Sequence, residues 1–327
     1  MSKMFWIGVD LGEKFFDAAV VGEETRSVAW AKLPCKTFAH TEAGMRQFVS
    51  WARALMARDT ADGICLEATG RMAWQWTEMV ADALGPVAMV NPRCSRNYGR
   101  ALNIADKNDR VDACILAFYG IDRRPVAHRL PTKAQQELRD LTHAYQEVQT
   151  QYRAWKSRLR QKDLPSIVRK EYSGFLKKLE KTLAQLDAAI HQFLEKHKAF
   201  KEDAELMQTI PGVGEKTART LLAEFGDLRQ YSRSQIVALA GLYPREFRSG
   251  TSVYKKPRIT KTGNARVRAA LYMAALNART CCPPMVAFAD RLQKKGLRPK
   301  QILVAISRKL LLIARTMLTN QETFKCA

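Results

Sequence analysis

Four carboxylates and one group of hydroxyls carry spacings that could do chemistry in this sequence. Asp10 closes the apolar run Phe5-Trp6-Ile7-Gly8-Val9, Glu67 closes Ile64-Cys65-Leu66, and Asp109 and Asp112 stand three apart in KNDRVDA. Residues three apart on a helix project from one face. Phosphoryl transfer on DNA uses divalent ions held around the scissile phosphate, and Mg2+ (or Mn2+) prefers a few carboxylate oxygens plus water. Taken singly, a strand-end Asp is a turn former or a helix cap, and an Asp pair three apart is a solvated face. Their joint order along strands and a helix makes Asp10, Glu67, Asp109 and Asp112 candidate metal ligands. Asp17 and Asp106 are the acids most easily mistaken for members of the group.

The hydroxyls lie in PREFRSGTSVYKKPRITKTGNARVR. Ser249, Thr251 and Ser252 sit among Arg245, Arg248, Lys255, Lys256, Arg258, Lys261, Arg266 and Arg268, with Glu246 the one acid. A serine among cations can attack a phosphodiester, because the cations stabilise the charge that develops on the phosphate. Such hydroxyls also bond phosphates or cap turns, and the residues alone leave both uses open. Upstream, TIPGVGEKTARTLLAEFG reads as a helix-hairpin-helix element, with Gly212 and Gly214 letting backbone N–H groups approach a phosphate and Lys216 beside them. A plain helix turn is the alternative. The segment is not a Walker A loop, since GxxxxGK[ST] does not lie over it.

The elements that must position these groups divide by composition. Of 327 residues, 46% are hydrophobic and 26% charged, which is an ordinary globular balance. Net charge is +22, unevenly spread: residues 1–128 hold 16 basic and 15 acidic side chains, residues 129–200 hold 15 and 8, and residues 201–327 hold 23 and 9. A nearly neutral first part carries the acids, and the strongly basic remainder calls for a polyanion, nucleic acid first. Seven cysteines without a C-x-x-C pair speak for a reducing compartment and against a zinc ribbon. No apolar run reaches 18 residues and the start has no signal-peptide layout, so a soluble, cytoplasmic protein without a membrane partner is expected.

The pattern predicts three opening strands, MFWIGVDL, FFDAAVV and SVAWAKL, then a helix from Thr41 to Met56 with Met45, Phe48, Val49, Ala52 and Leu55 on its inner face. Strand DGICLE, helix RMAWQWTEMVADAL, strand PVAMVN and a helical run to about Ile121 complete an α/β domain over 1–128. Long polar helices with apolar stripes follow, Leu138-Leu141-Tyr145-Val148-Tyr152 and Phe175-Leu179-Leu183-Leu186-Ile190-Phe193. With Pro165 between them they predict an antiparallel hairpin or coiled-coil arm over 129–200. A mostly α segment, 201–327, holds the Gly-rich turn and a Gly/Ser/Lys/Arg loop from Gly241 to Gly263.

The ordered motifs GVDLG, LEATG, NPR, KNDRVDA, IPGVGEKTA, LAGLYPR, RSGTS and KTGNARVRAALY resemble the IS-one-ten family of insertion-sequence transposases, related to the pilin-gene invertases. The likeness covers nearly the whole chain. It implies an RNase H-like (resolvase-like) N-terminal domain whose DEDD tetrad falls on Asp10, Glu67, Asp109 and Asp112, and a C-terminal domain whose nucleophilic serine falls on Ser249. Arg248 stands where that family often has an acid. The likeness further implies an RNA-guided recombinase in the prokaryotic cytoplasm, nucleoid-associated during recombination. A structured non-coding guide RNA would pair with double-stranded donor and target DNA, and a homodimer or homotetramer would cut and rejoin strands through a serine–DNA bond. A metal-dependent Holliday-junction-type nuclease and a non-catalytic nucleic-acid-binding scaffold are the rival expectations.

Overall fold

The computed structural model describes residues 4–67, 71–127, 129–249 and 253–325. The chain forms two units, one ending at Leu130 and one beginning at Pro131.

The first unit is a five-stranded mixed sheet with helices on both faces. Strands β1 (Phe5–Leu11), β2 (Phe15–Gly22) and β3 (Cys35–Ala39) form an antiparallel meander. β4 (Gly63–Glu67) runs parallel to β1, and β5 (Val87–Val90) parallel to β4, giving the order β3-β2-β1-β4-β5. Residue parity sorts the sheet into two faces. Ile7, Val9, Leu11, Phe16, Ala18, Val20, Ile64 and Leu66 are buried with residues of α1 (Glu42–Met56) and α2 (Arg71–Leu84). Trp6, Ala19, Val21, Cys65 and Val90 are buried with residues of α4 (Asp109–Arg123), which follows the shorter α3 (Pro92–Ala101). Burial on both faces is why these strands read as apolar runs.

α4 touches β1 backbone to backbone. A Cβ added at Gly8 would lie 2.0 Å from the Ala113 carbonyl and 2.2 Å from the Ala117 amide, so only glycine fits there.

Two local expectations are corrected. SVAWAKL is not a strand: single 3-10 turns occupy Glu23–Thr25 and Trp30–Lys32, and the third strand begins after Pro34. Its apolar residues cover the α4-side core from a loop, with Leu33 buried and Trp30 partly so, which imitates alternation. On α1 the inner face ends at buried Met56, while Leu55 is 40% exposed. No helix among the described residues is long and apolar enough to cross a membrane.

The second unit is helical apart from one hairpin. α5 (Lys133–Leu159) and α6 (Ser166–Lys196) pack antiparallel; near Pro165, Trp155 meets Tyr172 and Phe175, and Tyr152 donates to Glu180. At the other end Leu138, Tyr145, Ile190 and Phe193 enter one continuous core with residues of α7 (Lys198–Gln208), α8 (Glu215–Phe225), α10 (Ala265–Cys281) and α12 (Pro299–Asn320). Segments 129–200 and 201–327 therefore share their hydrophobic interior. The stretch expected as a loop from Gly241 to Gly263 contains a two-stranded antiparallel hairpin, β6 (Pro244–Ser249) and β7 (Val253–Ile259), after the short α9 (Arg233–Leu239). Phe247, Val253, Tyr254 and Ile259 supply β-forming residues that the density of basic side chains had masked. α11 (Pro283–Lys294) lies between α10 and α12 in sequence.

Candidate carboxylate site and nucleic-acid-binding segments

Sheet parity brings three acids to one face. Asp10 shares the parity of Trp6 and Gly8 on β1, Glu67 that of Cys65 on β4, and Asp17 is the direct cross-strand partner of Asp10. All three belong to the face that α4 covers. α4 itself starts at the carboxyl ends of β1 and β4: Asn108 caps it by accepting from the Val111 amide, and Asp109 and Asp112 occupy its first turn. Acids are favoured there by the exposed amides of the first turn.

Electrostatics report how near the four stand. Asp10 is pushed up to about 7, first by burial and then by the charges of Asp112, Asp109, Glu67 and Asp17. Asp112 is raised by burial and by Glu67 and Asp109, with Lys107 and Arg96 offsetting part of the effect. Like charges gathered in a half-buried site disfavour ionisation, and a divalent cation is what relieves such repulsion. The all-oxygen donor set suits a hard cation of that kind. Among the described residues, however, no three His, Cys, Asp or Glu side chains form a group that could hold a metal ion. The acids share a field without forming a closed ligand shell.

Four supporting residues escaped the sequence reading. Ser95, buried on α3, donates its hydroxyl to Glu67 Oε1. Thr37 Oγ1 donates to Asp17 Oδ1 at 2.5 Å, which ties that acid to β3. Arg96 and Lys107 bring positive charge to Asp112. The legible signal was small residues four apart, Ser95 and Gly99, in an otherwise polar helix: these are the two residues that α3 buries.

In the second unit the sequence-selected residues fall on the β6–β7 hairpin, just after it to the start of α10, and on the turn into α8. Ser249 is the last residue of β6, with Val253 as its cross-strand partner. The side chains of Arg248, Ser249, Lys255 and Lys256 lie outside the described residues, as do Thr251 and Ser252 altogether. Arg245, Arg258 and Lys261 are exposed, and Arg266 pairs with Glu147 of α5 at 3.8 Å.

At the Gly-rich turn the two glycines differ. Gly212 has φ +93°, and a Cβ there would meet the backbone of Ala278 at 2.6 Å, so it is required by packing against α10. Gly214 faces open space at the start of α8. Lys216 lies over the Tyr145 ring at 5.2 Å, beside buried Arg219, which pairs with Asp187 at 2.7 Å.

Comparison with known proteins supplies the family context. Residues 7–163 match the IS110-type DEDD transposase domain, whose fold is RNase H-like, and residues 204–290 match the domain of the "Transposase IS116/IS110/IS902 family". The chain is 30% identical over 329 aligned residues to the pilin gene-inverting protein of Moraxella bovis, covering 99% of this chain and 98% of that one. The pilin gene-inverting protein of Moraxella lacunata aligns with the same identity and coverage. The transposase for insertion sequence element IS1111A of Coxiella burnetii is 32% identical over 184 residues, about half of each chain.

Proposed function

We propose, for a chain that belongs to the IS116/IS110/IS902 transposase family and is a DNA transposase or recombinase, that it cuts and rejoins donor and target DNA through a serine–DNA phosphodiester at Ser249. Asp10, Glu67, Asp109 and Asp112 would hold Mg2+ or Mn2+, whose all-oxygen preference their carboxylates suit. The observation that carries this reading is the gathering of four acids from β1, β4 and α4, with Asp10 raised to about 7 by burial and by its neighbours.

A bound divalent cation supplies Lewis-acid activation of the phosphate. The protein's own groups do the rest. The four carboxylates would hold that cation, and Ser95 fixes one oxygen of Glu67. The Ser249 Oγ–P bond forms as one P–O bond to deoxyribose breaks; the serine proton is lost and the freed sugar oxygen gains one. The arginines and lysines of β6 and β7 stabilise the charge on the phosphorus centre. Because the phosphodiester is kept on the serine, a sugar hydroxyl of another strand can reverse the step and reseal the DNA.

Relatives named for inverting a pilin gene support rejoining as well as cutting, since inversion without resealing would break the chromosome. The exposed α8 start at Gly214 suits backbone phosphate contact. A net charge of +22 suits a load of DNA together with a structured guide RNA, and assembly as a dimer or tetramer lets the serine of one subunit reach the acids of another.

The test is to incubate the full chain with its co-purifying RNA, matching DNA and Mg2+, then separate on a denaturing gel. An SDS-resistant protein–DNA adduct that disappears in Ser249→Ala is expected. Nicked DNA without adduct would instead identify a junction-type nuclease. Binding without any cutting would identify a scaffold, and either result overturns the proposal. Sequencing the co-purifying RNA tests the guide separately.

A further inference from the structure

We propose that the exposed face of α3 formed by Arg93, Arg96 and Arg100, with Lys107 beside it, is a phosphate track that holds the DNA strand about to be cut. The inference rests on the reading of the four acids as the cutting site.

α3 has two faces with different tasks. Ser95 and Gly99, four apart, are its buried residues. Ser95 bonds to Glu67, and a Cβ at Gly99 would lie 2.7 Å from Ile115 Cδ1 of α4. The inner face is therefore seated against the acids and against the helix that carries two of them, which fixes where the outer face points.

That outer face carries Arg93, Arg96 and Arg100, all exposed, in a ten-residue helix without a single acid. Steps of three and four residues place the guanidinium stems about 4.5 and 6 Å apart along the axis. None of the salt bridges found among the described residues uses any of the three. Arg96 and Lys107 act on the charge of Asp112, and Ser95 on the same helix bonds Glu67, so the row lies beside the acid cluster.

The surrounding unit is close to neutral, with 16 basic and 15 acidic side chains over residues 1–128. A general attraction for polyanions thus resides elsewhere, and a local row of arginines in a neutral unit acts by fixing position. Guanidinium forks match phosphate oxygens two at a time, which lysine does not do. A cutting site that must receive a phosphate among four carboxylates needs such a counter-charge along the incoming strand. The partner is DNA, the strand that those acids cut.

The test uses the full chain and a labelled 20-nucleotide single-stranded DNA, an RNA of the same length, and two triple variants: Arg93→Ser/Arg96→Ser/Arg100→Ser, and Lys177→Ser/Lys178→Ser/Lys181→Ser on the exposed side of α6 as a charge-matched control. The α3 variant is expected to bind DNA roughly tenfold or more weakly than the control, and the slope of log K against log salt should fall by about 2. A photo-crosslinking residue placed at exposed Asn97 should capture the DNA, and the capture should fade in the α3 variant. Equal losses in the two triple variants, or a loss confined to RNA, overturns the inference. If the α3 variant loses DNA and the crosslink as expected while the wild-type protein cuts nothing, the functional reading fails and the track stands. If the wild type cuts and the α3 variant binds and cuts alike, the track fails and the function stands.

Discussion

Asp10 and Glu224 are both carboxylates taken largely out of water, one in each unit, and their surroundings have opposite character. Glu224 on α8 is satisfied: His143 Nε2 lies 2.6 Å from Oε1, Asn264 Nδ2 donates to Oε2 at 2.6 Å, and Arg139 lies nearby. Burial alone would raise it, but the hydrogen bonds and charges of His143, Asn264 and Arg139 hold it below the usual glutamate value. Asp10 meets four other carboxylates and is pushed up to about 7. The first pattern joins α5, α8 and the start of α10, which is a structural task. The second is a cost to folding, and strongly perturbed carboxylates of that kind gather at functional sites.

The largest effect expected is the loss of strand cutting in Asp10→Asn, by about a thousandfold, with RNA binding nearly unchanged. An assay in which the variant cuts normally would make Asp10 a second structural carboxylate and erase the contrast. The same variant should be more stable than the wild type near pH 8, by a few degrees in melting temperature at most, since Asp10 remains partly solvated. The sign follows from its raised value: the contribution of Asp10 to stability is fully present below pH 4 and is lost as pH rises through about 7. The gain in Asp10→Asn should therefore shrink as pH falls below 7 and vanish only below about pH 4.

Glu224→Gln should do the reverse, lowering stability at pH 7 by about 2 kcal/mol, read from the melting of the second unit. Its depressed value means that this stability is present above about 4.5 and fades as the solution is acidified further. A neutral outcome at pH 7 would show that the network is decorative.

The smallest effect belongs to Ser95→Ala. Residues that orient metal-binding groups typically change affinity by 10- to 100-fold. The Mn2+ concentration giving half of the metal-induced rise in melting temperature should increase about tenfold, with the metal-free melting point little changed. An unaltered Mn2+ midpoint would show that Glu67 is oriented without its serine.

How much of this was legible depends on the range of the forces involved. Asp10, Glu67, Asp109 and Asp112 could be singled out because strand ends and helix starts are local patterns, and sheet parity does bring Asp10 and Glu67 to the face covered by α4. Asp17 entered the same field through cross-strand register, which a single strand does not display. Ser95 was invisible as a partner because its hydrogen bond joins residues 28 apart. Trp30 and Leu33 misled the strand assignment because core-covering loop residues are as apolar as strand residues. Around residues 244–259 the abundance of charge hid a hairpin whose pairing is set by backbone hydrogen bonds. Gly212 was read as room for a ligand, and its neighbour is Ala278 of the same chain.

The seam at Gly8 has a consequence for how this enzyme can change over time. Ala113 follows Asp112 directly, so the thickness of that seam sets the spacing between an acid on a strand and two on a helix. One added methyl group would have to wedge the elements apart, and it would detune the cutting proposed for these acids with every acid still in its place in the sequence. Position 8 is thus a tuning screw for activity that an inventory of reactive side chains would pass over.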